Sequence, residues 1–209
     1  MSSSILNRRV IWAAIALSVL SVGQVRAQGV DCTLSADPDI HFDLKIFDQL
    51  DDLRDGTLAA PLSRACPAGS PTPDAAYTLS TSEGELRVVR TYKGSQRHAV
   101  TTTSSQGVLR IDGFPANVNS VGITAYGSDV NGRYVPRTHL VVTVYAPDGT
   151  VMESRTFPGT TRHYSLGATW SVPVGAIELK MLEKQPTADQ PVFPTIEAVN
   201  LGHDYDMMP

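Results

Sequence analysis

The chain has few of the residues that mark a site of known chemistry. Its 209 residues include two cysteines and five histidines, and aromatic residues make up 7%. No two histidines stand two or four positions apart, which excludes a strand or helix face with paired imidazole ligands for a metal. A Gly-x-Ser-x-Gly elbow, a His-Glu-x-x-His motif and a phosphate-binding loop are also missing. We therefore predict a protein that is not an enzyme.

Charge is scarce as well, and it is unevenly placed. Three of the 17 basic residues precede residue 28, so the rest of the chain has 14 basic against 21 acidic residues, a net charge of −7. Residues 31–55 account for most of this excess, with eight aspartates against Lys45 and Arg54. Since no basic patch is present, nucleic acid and anionic membranes are not expected partners.

The first apolar run, Val10–Val22, is shorter than the roughly 18 to 20 residues that span a bilayer. Arg8 and Arg9 precede it, and the small or apolar Val25 and Ala27, on either side of Arg26, suit a cleavage site. We predict that residues 1–27 are a signal peptide, that the protein is secreted or periplasmic, and that it is not inserted in a membrane after cleavage. The alternatives are an uncleaved anchor and twin-arginine export.

Cys32 and Cys66 both lie beyond the predicted cleavage site. In an oxidising compartment such a pair indicates one disulfide, here closing a loop of 35 residues. By chain entropy, a loop of this size stabilises a fold by about 3–4 kcal/mol. The alternative, a reactive thiol or a metal ligand, lacks a Cys-x-x-Cys motif or a neighbouring histidine. Reduction is expected to loosen the N-terminal region first.

Residues 138–157 have the pattern of two strands joined by a turn. Leu140, Val142 and Val144 alternate with residues of the opposite face, and Pro147-Asp148-Gly149 is a turn sequence. Similar short strands recur through the rest of the chain. The candidates are residues 76–81, 85–92, 97–103, 107–112, 118–126, 138–146, 150–157, 162–166, 176–183 and 194–201.

The clearest alternation predicts that Ile177, Leu179 and Met181 point inward while Glu178 and Lys180 point outward. Some ten short strands and no long helix indicate an all-β fold. We predict a two-sheet antiparallel jelly-roll β-sandwich, with a barrel as the alternative.

The region before residue 76 differs from the rest. Leu44, Phe47, Leu50 and Leu53 have helical spacing, but residues 40–44 also suit a first strand. We expect a strand near 40–46 followed by a turn of helix, hence a short N-terminal region that is irregular or partly helical. The predicted division is a signal peptide (1–27), an acidic region ending in a Pro/Gly-rich connector (28–75) and a sandwich domain (76–209). Whether the acidic region docks on a sheet is left open.

Four segments between residues 107 and 202 resemble bacterial secreted jelly-roll domains, a group related to carbohydrate-binding modules and with many uncharacterised members. These segments are GVLRIDGFPANVNSVGITAYG, LVVTVYAPDGTVMES, YSLGATWSVPVGAIELKM and PTIEAVNLG. The last resembles the I-D-x-V-x-F-G strand of these domains, with Glu197 at the Asp position and Leu201 at the Phe position. The resemblance covers about half of the mature chain and implies the fold and a glycan partner.

Sugar binding requires aromatic rings, because the faces of a pyranose are apolar, and polar groups for its hydroxyls. The loop 126–137 and a few rings elsewhere are the candidates, although Trp170 also suits a role in the core. The candidate ligand-binding residues are Tyr126, Asp129, Asn131, Arg133, Tyr134, Tyr164 and Trp170.

The same resemblance implies a structural Ca²⁺ where the first and last strands meet, with oxygens from Asp39, Asp43 and Glu197. We otherwise expect no cofactor. Glu178 and Glu183 match the outer acids of a strand found in some jelly-roll glycosidases, but at a spacing of five residues they point to opposite faces.

The sequence thus favours an exported, non-enzymatic sandwich that binds a glycan or another cell-surface partner. The alternatives are a structural or matrix protein of the cell envelope and a polysaccharide-active enzyme.

Overall fold

The computed structural model describes residues 30–34, 42–58, 60–70, 76–91, 97–158, 164–182 and 190–204. Within these residues the chain forms fourteen strands and no helix. The first seven are β1 (Asp31–Leu34), β2 (Phe42–Asp48), β3 (Gly56–Leu58), β4 (Leu62–Ala65), β5 (Ala76–Thr81), β6 (Leu86–Arg90) and β7 (His98–Thr102). The others are β8 (Leu109–Asp112), β9 (Ser120–Ser128), β10 (His139–Tyr145), β11 (Val151–Pro158), β12 (Tyr164–Thr169), β13 (Ala176–Met181) and β14 (Phe193–Asp204).

The strands form two antiparallel sheets, as predicted, in an all-β jelly-roll sandwich. Sheet B has six strands in the order β11-β10-β13-β8-β5-β4. Sheet A has eight strands, and β14 is its longest, pairing along one side with β9. On its other side β14 pairs first with β7 and then with β2, and β14 is irregular between Ile196 and Ala198. Sheet A therefore branches at this point.

The core lies between the sheets and is made by the alternation that the sequence shows. Ile177, Leu179 and Met181 are buried while Lys180 is exposed, which confirms their predicted directions. Leu140, Val142 and Val144 of the neighbouring strand β10 are buried on the same side. The outward residues of sheet B are consequently left to face solvent.

The turn after β10 forms as predicted. Gly149 has φ of +85°, which a residue with a Cβ rarely adopts, and its N–H donates to the Ala146 carbonyl at 3.0 Å. Asp148 Oδ1 accepts the Thr150 N–H at 2.9 Å, and the backbone bond lowers the pKa of this carboxyl.

The acidic N-terminal region docks on the sandwich, because β2 pairs with β14 in sheet A. The expected turn of helix after this strand is wrong: residues 49–55 form turns, bends and irregular backbone. Ile46, Asp48 and Leu50 alternate inward with a period of two. The Asp48 carboxylate accepts the Leu50 N–H at 2.9 Å, which holds the chain out of a helix. The boundary at residue 75 stays a prediction.

The predicted disulfide between Cys32 and Cys66 is confirmed, with the two Cα atoms 5.8 Å apart. It joins β1 of sheet A to the end of β4 of sheet B and is buried. A disulfide of this kind is typical of proteins from oxidising compartments. None of the described residues belongs to an apolar helix long enough to cross a membrane. The predicted signal peptide lies outside the described residues.

Candidate functional site

A cleft lies on the outer face of sheet B, where β8, β10 and β13 place one polar side chain each. Arg110 points outward because Leu109 and Ile111 on either side of it fill the core. Glu178 is the direct cross-strand partner of Arg110, and Tyr145 lies at the end of the adjacent strand β10. Three residues far apart in sequence therefore meet on one surface.

Arg110 holds this polar group together. Its Nη1 donates to Glu178 Oε1 at 2.7 Å and its Nε donates to Asp112 Oδ2 at 2.8 Å. The Tyr145 hydroxyl donates to Glu178 Oε2 at 2.8 Å, and the Arg110 guanidinium lies 5.8 Å from the centre of the Tyr145 ring. We call Arg110, Asp112, Tyr145 and Glu178 the sheet B cluster.

The hydrogen bonds of the sheet B cluster also favour the protonated forms of Arg110 and Tyr145. The hydrogen bond to Asp112 is the main cause of a raised pKa for Arg110; burial opposes it, and the hydrogen bond to Glu178 adds to the rise. The hydrogen bond to Glu178 raises the pKa of the Tyr145 hydroxyl. Both residues are therefore protonated donors at neutral pH. The Arg110 side chain is 38% exposed and that of Glu178 is 28% exposed, so a ligand can reach them.

The walls of the cleft are apolar turns. Phe114, Pro115, Pro147 and Val174 line it beside Arg110, Tyr145 and Glu178, around a volume of about 510 Å³. The Ala146-Pro147 wall packs tightly against Gly175, the residue just before β13. A Cβ on Gly175 would lie 2.6 Å from the Ala146 carbonyl oxygen. A glycine is thus required there. The cleft combines apolar walls and rings with fixed hydrogen-bonding groups.

The predicted binding loop packs back onto sheet A. Tyr126 is buried and its hydroxyl donates to the Gly132 carbonyl at 3.0 Å. The Tyr134 ring meets the Tyr126 ring edge-on, with centroids 6.5 Å apart, and Gly132 lies against Val89 of β6. The Tyr126 ring is therefore packed inside the molecule.

The polar residues of this loop have separate roles. Asp129 Oδ1 accepts the N–H groups of Asn131 at 2.8 Å and Arg133 at 2.9 Å, so it caps its own turn. The side chains of Asn131 and Arg133 are exposed on the surface. The loop brings five of the predicted residues together, but the cleft lies on the other sheet.

The remaining predicted residues are dispersed. Trp170 packs against the core and does not line the cleft. Glu197, 8% exposed, lines a smaller cavity of about 160 Å³ with Phe47 and Arg97 at the branch of sheet A. Asp39, Glu183 and the side chains of Asp43 and Tyr164 lie outside the described residues. Among the residues that are described, no three His, Cys, Asp or Glu side chains are grouped to hold a metal.

Sequence reasoning missed Arg110, Phe114 and Tyr145, and it treated Glu178 as a solvent-facing charge. The outward direction of Glu178 was readable from the alternation in β13. The residues beside Glu178, Arg110 and Tyr145, could not be predicted, because their proximity depends on the strand order β10-β13-β8.

A second polar region lies on the outer face of sheet A. Thr195 Oγ1 donates to Thr101 Oγ1 at 3.0 Å and lies 2.7 Å from Ser128 Oγ. Arg87, the cross-strand partner of Thr101, has buried Nε and Nη2 atoms that lack hydrogen-bond partners within the described part of the structure.

No protein-family model matches the chain, and no curated protein sequence matches it. Solved structures resemble it at low similarity. A mutant family 29 carbohydrate-binding module complexed with cellulohexaose has 11% identity and a TM-score of 0.39, over 73% of this chain and 94% of that one. CsCBM6-3 from Clostridium stercorarium, in complex with cellobiose, has 15% identity and a TM-score of 0.34, over 71% and 98%.

A family two carbohydrate esterase from Cellvibrio japonicus has 9% identity and a TM-score of 0.33, over 61% of this chain and 34% of that one. These scores are low, so function has to be argued from the cleft.

Proposed function

We propose that the cleft on sheet B binds a glycan and that the protein is an exported binding domain without catalytic activity. The observation that carries this proposal is the sheet B cluster: Arg110 and Tyr145 are both fixed on Glu178, at the floor of a cleft with apolar walls. The predicted signal peptide and the disulfide support export.

A sugar fits the chemistry of this cleft. Sugars present hydroxyls at their edges and C–H groups on their faces, so they need paired donors and acceptors beside a ring. Arg110 Nη2 makes no hydrogen bond within the described part of the chain, which leaves it as a donor for a hydroxyl. Phe114 and Tyr145 supply rings. The volume of about 510 Å³ lies within the range of small-ligand sites, roughly 300–1,000 Å³.

Glycoside hydrolysis suits the cleft poorly. A retaining enzyme needs a nucleophile and an acid about 5 Å apart that both face the scissile bond. Glu178 is the one carboxylate among the lining residues, and each of its oxygens already accepts a hydrogen bond. This arrangement favours recognition over bond cleavage.

The test is a glycan array probed with secreted, oxidised protein, followed by calorimetry with any sugar that binds. Arg110→Met should weaken binding by roughly tenfold or more, since each good hydrogen bond to a charged group is worth about 1.5–3 kcal/mol. Arg133→Met, an exposed arginine in the loop on sheet A, is the matched control and should bind as the wild type does. If the wild type binds no glycan, the proposal is wrong.

The array also tests the proposed calcium site. We expect binding in the cleft to be unchanged by EDTA, because the sheet B cluster has its own cation in Arg110. A loss of binding with EDTA would instead favour a Ca²⁺ at Asp39, Asp43 and Glu197.

A further inference from the structure

Among the strands that the structure describes, β11 lies at an edge of sheet B. It runs from Val151 to Pro158 and, among the described strands, pairs with β10 alone. The strand at the opposite edge of the sheet, β4, has only four residues. An unpaired edge presents a row of backbone donors and acceptors and is a template for another strand. The length of β11 makes it the stronger template of the two.

The sequence of β11 is complementary to itself. Residues 151–157 read VMESRTF. In an antiparallel pair centred on Ser154, Glu153 of one copy lies opposite Arg155 of the other, and Arg155 lies opposite Glu153. Residues directly opposite each other share a face, so this register places opposite charges together twice. The same register sets Met152 opposite Thr156 and Val151 opposite Phe157, at the end where the ladder with β10 is irregular.

Some of the side chains that this register uses are on the surface, whereas Met152 and Phe157 pack partly buried against the core and the Glu153 side chain is 21% exposed. The Arg155 side chain is 60% exposed, and Val151 is 54% exposed, one of the few large apolar residues so exposed in the described chain. Arg155 Nε pairs with Glu153 Oε1 within one copy. Pairing two copies would let each arginine also meet the glutamate of the other copy. Charged side chains often keep edge strands apart, but here the register is attractive.

We propose that β11 pairs with β11 of a second copy about a two-fold axis, joining two six-stranded sheets into one sheet of twelve strands. The interface is isologous, as in most homodimers. Because the axis of an antiparallel pair is perpendicular to the sheet, the outer faces of both copies point the same way. The two clefts would then open on one side, and a surface rich in one glycan would be bound with higher avidity. This last consequence rests on the proposed function, whereas the dimer does not.

The test is sedimentation equilibrium of the secreted, oxidised protein over about 1–100 µM, a range that detects a micromolar dissociation constant. The wild type should dimerise. Glu153→Arg and Arg155→Glu each place like charges opposite each other twice, so each should weaken dimerisation by about tenfold. The double variant restores opposite charges and should return to within about threefold of the wild type.

Lys180→Glu, an exposed charge reversal on the central strand β13, is the control and should dimerise normally. Thermal unfolding of each variant checks that it is folded. A wild type that stays monomeric over the whole range overturns the proposal, as does a dimer that none of the three β11 variants alters. Each monomeric variant should still bind a soluble sugar as tightly as the wild type, which separates the dimer from the cleft.

Discussion

Two clusters in this molecule are built from the same parts. In each, an arginine pairs with two carboxylates and a tyrosine hydroxyl donates to one of them. One is the sheet B cluster. The other, which we call the buried cluster, lies where the N-terminal region meets the sandwich and consists of Asp48, Asp52, Arg64 and Tyr77.

The buried cluster is closed to solvent at Asp48 and Arg64, whereas its second carboxylate, Asp52, is 36% exposed. Arg64 donates from Nε and Nη2 to both oxygens of Asp48, at 2.7 and 2.9 Å, and Tyr77 donates to Asp48 at 2.6 Å. The Asp48 side chain has no exposed surface, whereas Arg110 in the sheet B cluster is 38% exposed. The same chemistry therefore clamps two parts of the chain together in one place and faces solvent in the other. Burial thus separates a structural role from the proposed binding role.

The sharpest way to test this comparison is to remove each arginine in turn. Arg64→Leu leaves Asp48 as a buried charge without its partner and should destabilise the fold by about 3–5 kcal/mol. Arg110→Leu removes a solvent-accessible pair and should cost below about 1 kcal/mol. Urea unfolding of both variants measures the difference.

In a glycan-binding assay we expect the two variants to rank in the opposite order. Arg110→Leu should lose glycan binding while remaining folded, and Arg64→Leu should bind normally at temperatures where it is folded. Equal losses of stability in the two variants would show that burial does not separate the clusters.

The sequence predicts some of the strands that carry these clusters but not others. Strands β10 and β13 could be predicted because each shows a clear alternation over several residues. Strands β1, β3 and β4 have three or four residues, too few for a pattern, and they form because partners are available. The helical spacing at 44–53 was misleading, since Arg64 draws Asp48 inward into a strand.

The sequence and the structure point to different candidate sites for a related reason, and the predicted binding loop stays a prediction. The segment 126–137 has the polar and aromatic composition of a binding loop, but its Tyr126 and Tyr134 rings pack together over sheet A. Arg110 and Glu178 belong to strands 68 positions apart in sequence and become neighbours through sheet pairing. Alternation shows which way a side chain points, but not which strand lies beside it.

A smaller effect is expected from the two tyrosines. Tyr77→Phe removes a buried bond to a charged oxygen and should destabilise the fold by about 1.5–3 kcal/mol. Tyr145→Phe removes a bond in a solvent-exposed cluster and should cost about 0.5 kcal/mol or less. Thermal and urea unfolding of both variants provides the comparison. A larger loss of stability in Tyr145→Phe than in Tyr77→Phe would mean that the sheet B cluster, and not the buried cluster, has the structural role.

Alkaline pH should separate the clusters without changing the arginines. Burial, then the charge of Asp48, raises the pKa of Tyr77 well above its ordinary value near 10. The folded state then holds a proton that the unfolded state releases. The stabilisation that comes from neutral Tyr77 is therefore complete below about pH 10 and is lost as pH rises toward the folded pKa. Unfolding free energy should fall more steeply above about pH 10 in the wild type than in Tyr77→Phe. Identical slopes would contradict a buried, neutral Tyr77.

The smallest effect concerns Arg87, which has no carboxylate in the described structure. The Nε and Nη2 atoms of Arg64 both donate to Asp48. The same two atoms of Arg87 are buried and have no hydrogen-bond partner among the described residues. Because an unsatisfied buried donor costs about 1–3 kcal/mol, Arg87→Met should raise stability by about 1 kcal/mol. Arg133→Met, on an exposed arginine, should leave it unchanged. A loss of stability in Arg87→Met would mean that the guanidinium is bonded in solution, and Arg87 would then belong with Arg64 as a structural clamp.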